Sequence, residues 1–187
     1  MKLARYFLLT AGLIFTAPAL AAGVQVGAFD QVGLSGGGHL TIRHGAHQSV
    51  NLLKGSTQYT TFKIRDGHKL QIDACNDNCP MRYDLEIEIV TPELKGVALN
   101  GGGEVVAEGA FPHQDRLAAA INGGGDMDVH AISASNVDAA VRGGGDIEVT
   151  ATQELNAAVS GGGDITYHGN PQINEAIRGG GSVNSAK

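Results

Sequence analysis

The chain has 187 residues, 28 of them glycine and 5% aromatic, with a formal net charge of −6 at pH 7. That length suits one domain. The acidic balance runs against a nucleic-acid partner, which would require a basic footprint, and against attachment to an anionic membrane surface.

Residues 1–21 read as a secretory signal peptide. Lys2 and Arg5 give a basic start, Tyr6 to Thr16 is apolar, and Ala19-Leu20-Ala21 supplies small residues for cleavage. The apolar run is shorter than the ~20 residues of a membrane span, so no transmembrane segment is expected after its removal. Without Lys2 and Arg5 the balance becomes 11 basic against 19 acidic residues, or −8. No cysteine follows the cleavage position, which argues against a lipid anchor. Residues 22–187 are expected to form a single exported domain.

After Val24 to Phe29, Val32 and Leu34 precede a glycine triplet at Gly36-Gly37-Gly38, and Leu40 and Ile42 follow it. The stretch 44–93 then reads as an insertion of antiparallel strands. Thr60, Phe62 and Ile64 alternate with polar residues, Asp66-Gly67 offers a hairpin turn, and Leu70, Ile72 and Ala74 answer from the other side. Tyr83, Leu85, Ile87 and Ile89 alternate with Asp84, Glu86 and Glu88, the pattern of a half-buried strand with a solvated acidic face. Between them lie Cys75 and Cys79, expected to form a disulfide in an oxidising compartment. A redox pair would need two intervening residues at the start of a helix, and here there are three in a turn-forming stretch.

Residues 94–187 are repeat coils. Glycine triplets begin at 101, 123, 143, 161 and 179, giving spacings of 22, 20, 18 and 18. A phrase of 13 residues recurs, and the variation lies in the connectors Glu108 to Arg116, His130 to Asn136, Thr150 to Glu154 and His168 to Gln172. Leu99, Ile121, Val141, Val159 and Ile177 lie two residues before the triplets; Val105, Met127, Ile147, Ile165 and Val183 lie two residues after. Alternation carries across each triplet without a change of parity, so the first and third glycines should face inward and the middle one outward. Repeats too small to bury a face alone gain a core by stacking. The most economical architecture is an all-β parallel β-helix with rungs ~4.8 Å apart; an antiparallel sandwich is the rival. In the last copy Glu175 takes a slot that holds Ala119, Ala139 or Ala157 in the others. It either discourages strand addition at that end or marks where subunits of a homo-oligomer meet.

Glu104, Asp126, Asp146 and Asp164 follow their triplets at one outward offset and should form a column. Neighbouring carboxylates ~5 Å apart repel by roughly 0.8 kcal/mol even in water. Three things could offset this: turn amides, the nearby Arg142 and Arg178, or a bound calcium ion. The calcium-binding Gly-Gly-x-Gly-x-Asp repeat is not matched, since Asp directly follows the triplet. No nucleophile elbow, zinc-protease helix or phosphate loop is present in the sequence. His39, His44 and His47 are close enough in sequence to be weighed as a metal cluster, against ordinary strand and turn placement. Carboxylates with an arginine leave a polysaccharide lyase or hydrolase as the enzymatic alternative.

The segments Phe29 to Gly38, Asp66 to Leu70, Ile87 to Leu94, Asn122 to Met127 and Ser160 to Ile165 occur in an order that resembles the bacterial putative auto-transporter adhesin, head GIN domain family. The resemblance spans nearly all of the mature chain. It implies a right-handed β-helical domain, periplasmic or secreted at a Gram-negative envelope, without assigned activity or catalytic residues. The chain departs from the family in using three glycines where Gly-Ser-Gly is common, and in its cysteine loop. The expected function is a non-enzymatic binding or structural module. Its glycine strip, bordered by Glu104, Asp126, Asp146, Asp164, Arg142 and Arg178, would lie against a glycan or the strand edge of an envelope protein.

Overall fold

A computed structural model describes residues 22–76 and 78–186. The proposed signal peptide lies outside the described residues. Among them the chain is all β, with no helix, and so none long and apolar enough to cross a membrane.

The strands follow the alternation of the sequence. They are β1 (Ala22–Gly23), β2 (Gln31–Gly36), β3 (His39–His44), β4 (Ser49–Lys54), β5 (Thr61–Arg65), β6 (Lys69–Asp73) and β7 (Glu86–Thr91). Then come β8 (Gly96–Gly101), β9 (Glu104–Glu108), β10 (Gln114–Gly123), β11 (Asp126–Gly143) and β12 (Asp146–Gly161). The last are β13 (Asp164–His168), β14 (Gln172–Gly179) and β15 (Ser182–Ser185).

Successive copies pair in parallel and in register. Before the triplets, β6, β2, β8, β10, the second half of β11, the second half of β12 and β14 form one ladder. After the triplets, β7, β3, β9, the first halves of β11 and β12, β13 and β15 form another. β11 and β12 run through both ladders, so all the strands belong to one curled sheet. Val141 aligns with Val159 and Val159 with Ile177, as the repeat requires. The inner residues of both ladders form a single buried cluster, from Leu34 and Leu40 through Val141 and Ile147 to Val159 and Ile165. The connector after His130 is no surface loop. It continues the strand through register shifts that bury Ile132 and Ala134.

The sheet is mixed, not purely parallel. The Asp66-Gly67 turn forms as expected, with φ of 51° and 76° at its two centres, and pairs β5 with β6 antiparallel. Within 44–93 β4 also pairs with β7 antiparallel, but the segment is not a separate insertion, because β6 and β7 join the stack in parallel beside β2 and β3. This segment supplies the end coil, capped by β5 on β6, β4 on β7 and β1 on β4, all antiparallel. Alternation marks the buried face of a strand but not its neighbour, and edges find partners only when the chain has closed. Lys54 holds the cap by reaching Asp84 and Glu86, each at 3.3 Å, and those hydrogen bonds, Asp84's first, raise its pKa above the usual lysine value. At the opposite end β14 has no outer partner among the described residues, and Ile177 is 41% exposed.

Candidate functional site

The glycine triplets form the corner between the two ladders, stacked coil upon coil. Close approach explains two of the three glycines. A Cβ on Gly143, where φ is +128°, would lie 2.1 Å from the carbonyl oxygen of Gly123 in the preceding coil. A Cβ on Gly145 would lie 2.1 Å from the Gly125 oxygen and 3.0 Å from Ile121 Cγ2. The third glycine thus faces the interior, as expected. The first is constrained by the neighbouring carbonyl, a detail that alternation does not carry. The middle glycines Gly102, Gly124, Gly144, Gly162 and Gly180 would meet nothing within 4 Å and face solvent. Their N–H groups are used in the ladder: Gly144 donates to the Gly123 oxygen at 3.0 Å and Gly162 to the Gly143 oxygen at 2.9 Å. The result is a strip of exposed backbone with no side chains on it.

The proposed acidic column forms. His39, Glu104, Asp126 and Asp146 stand in register, and Asp164 and Ser182 continue the line. Its repulsion is relieved mostly by amides of the neighbouring coil, not by the local turn. Asp146 Oδ1 accepts the Asp164 N–H at 2.8 Å, and Asp164 Oδ1 accepts both the N–H and the hydroxyl of Ser182, each at 2.7 Å. Glu104 is met by His39 Nδ1 at 3.0 Å. Asp126 has no side-chain partner among the described residues. Beside the column is an open depression of about 310 Å³, lined by Glu104, Asp126, Asp128, Asp146, Glu148 and Thr166 among others.

Arg142 and Arg178 do not offset these acids. They stand across the triplet in a different column, with Asn100, Asn122 and Ser160, and make no ion pair among the described residues. In the sequence Arg142 is four residues from Asp146, and Arg178 four from Ser182 at the same offset, yet the glycine corner puts the two columns on opposite flanks of the strip. His39, His44 and His47 do not gather either: His39 is taken by Glu104, and His44 packs edge-on against Phe111 at 5.7 Å. Cys75 and Cys79 are disulfide-bonded, with Cα atoms 5.9 Å apart. Their loop stands where the end coil would otherwise carry a glycine corner: Ala74 N–H bonds to Ser35 O on one side, and His39 N–H to Leu85 O on the other.

The residues that sequence reasoning missed are His130, Glu148 and His168, which converge on the outer face from three successive coils. The signal was present, since both histidines open a connector and so recur at equivalent places in the repeat.

The family model described as putative auto-transporter adhesin, head GIN domain, matches residues 28–115 and 113–171. Among curated proteins none matches the chain. Among solved structures, a putative adhesin from Bacteroides fragilis is similar over 89% of this chain and 96% of its own, at 18% identity and a TM-score of 0.56. A putative adhesin from Parabacteroides merdae matches over 90% and 96%, at 15% identity and a TM-score of 0.45. A putative lipid binding protein from Parabacteroides distasonis does so over 90% and 96%, at 17% and 0.40. At such identities the likeness to the Bacteroides protein bears on fold alone. The family match takes in the corner glycines from Gly36 through Gly163 and most of the acidic column, and on it the chain belongs to the putative auto-transporter adhesin, head GIN domain family.

Proposed function

We propose that the protein is an exported, non-enzymatic binding module of the bacterial envelope, periplasmic or secreted, whose glycine strip receives a glycan or the strand edge of an envelope protein. Membership in an adhesin-named family supports the general role. The observation that carries the site is the column of middle glycines. No contact within 4 Å requires glycine at Gly102, Gly124, Gly144, Gly162 or Gly180, yet all lack a side chain. A side-chain-free strip lets a flat polymer approach the backbone, while the Asn100–Asn122–Arg142 flank and the acidic flank offer donors and acceptors on either side. The finer fold reading, a right-handed parallel β-helix in one domain over 22–187, belongs to this proposal and draws on the in-register pairing of successive copies.

Glycan arrays and pull-downs from envelope extracts test it, with Gly144→Leu/Gly162→Leu as the decisive variant. The new side chains have room, so the variant should keep its melting temperature and lose the ligand. Retained binding, or no ligand for the parent protein in either assay, would sink the proposal. Nothing favours polysaccharide cleavage, since Arg142 and Arg178 lie across the triplet from the carboxylates. Self-association through the open edge is a second reading, favoured by exposed Ile173 and Ile177 on β14. A monomer at every concentration in sedimentation would remove it.

A further inference from the structure

On the wall that follows the glycine corner, two outward columns run beside the acids. One contains Asp128, Glu148 and Thr166; the next contains Thr150 and His168. His130 stands two residues beyond Asp128 on β11. His130 and His168 lean over Thr150 from either side, with ring centroids 5.1 Å apart. Glu148 completes the group: one ligand-capable atom from each of His130, Glu148 and His168 lies within 4.8 Å of the others.

We infer that His130, Glu148 and His168 form a binding site for a single divalent transition-metal ion of the zinc class. Two imidazoles and one carboxylate are a ligand set suited to zinc, and imidazole nitrogen discriminates against calcium and magnesium, which prefer oxygen. The supporting groups are also in place. Asp128 Oδ1 accepts from His130 Nδ1 at 2.5 Å, which leaves Nε2 free to ligate and orients the ring, as an outer carboxylate does for metal-binding histidines. Thr150 Oγ1 donates to the His130 carbonyl at 2.6 Å and fixes the backbone between the two rings. His168 Nε2 and Glu148 Oε1 are 2.5 Å apart, so the proton they share is the one an ion would displace. The ligands come from strands β11, β12 and β13; Glu148 and the His168 strand are in register, and His130 stands where the β11–β12 pairing shifts register after Asp128. All three side chains are about one-third to one-half exposed, so an ion can enter from solvent and water can complete its coordination. The acid-lined depression shares Asp128 and Glu148 with the site and would raise the local concentration of cations. The inference is independent of what the glycine strip binds.

The test is titration of the chelator-treated protein with zinc chloride by calorimetry, and with cobalt chloride by visible absorption. One equivalent should bind, and cobalt should give the d–d bands of a nitrogen and oxygen ligand set. His168→Ala and Glu148→Gln should each weaken zinc at least about tenfold, Asp128→Asn about tenfold, and His68→Ala, on the distant hairpin turn, not at all. In the unsubstituted protein zinc should shift the ring nitrogen resonances of His130 and His168 and of no other histidine, a readout that does not depend on any variant folding. Absence of binding, shifts confined to other histidines, or affinity unmoved by His168→Ala and Glu148→Gln would each overturn the site.

Discussion

Alanine substitution at three consecutive glycines separates the roles within one corner. At Gly143 an added Cβ stands 2.1 Å from Gly123 O, where φ is +128°. That oxygen already accepts the Gly144 N–H at 3.0 Å, so it cannot retreat without breaking the ladder. Losing that bond costs about 1 kcal/mol, holding alanine at such a φ about 1–2 kcal/mol, and the overpacking about 1–2 kcal/mol more. Gly143→Ala should therefore lose roughly 3–5 kcal/mol, a fall of roughly 6–20 °C for a domain of this size. Gly145→Ala lacks the φ term but meets Gly125 O at 2.1 Å and Ile121 Cγ2 at 3.0 Å, and should lose about 2–4 kcal/mol. Gly144→Ala meets nothing within 4 Å and should stay within about 0.5 kcal/mol of the parent. Urea and thermal unfolding followed by circular dichroism measure all three. Equal losses at Gly144 and Gly143 would refute the stacked-corner account and, with it, the reading of the middle column as free of structural duty.

Burial sets the next contrast. Leu155→Ala, at 0% exposure, should cost about 2–5 kcal/mol, whereas Ile177→Ala, 41% exposed on the open coil, should cost less than half as much; similar midpoint shifts in urea would contradict the open edge. Asp164→Ala removes the acceptor of both Ser182 donors and should expose the β15 amides to hydrogen exchange with a loss of about 1–3 kcal/mol. Asp126→Ala, with no partner to lose, should be neutral or slightly stabilising. Reducing the Cys75–Cys79 bond opens a loop of sequence separation 4, so the loss should not exceed about 2 kcal/mol, visible as a lower melting temperature in reductant and absent from a Cys75→Ser/Cys79→Ser protein. Calcium should leave the melting temperature unchanged, because Asp146 and Asp164 already take amide donors; a rise of several degrees would restore the calcium reading of the column.

Periodicity settled what lies inside. The residues two before and two after the triplets are the core in every copy but the last, and the constant phrase placed Val141, Val159 and Ile177 in one column. The acidic line follows for the same reason: a fixed offset in a stacked repeat becomes a fixed place on a wall. The sequence could not order the coils in space. The segment carrying β6 and β7 comes after β2 and β3 in the chain but stacks beyond them, away from the other copies, since strand edges pair by closure of the whole sheet and a two-residue pattern is blind to direction. Nor could it separate Arg142 from the acids or bring His130, Glu148 and His168 together. The first needs the turn at the glycine corner. The second needs side chains of three coils to lean across a ladder, and such reach depends on rotamers and neighbours set only once the backbone is stacked.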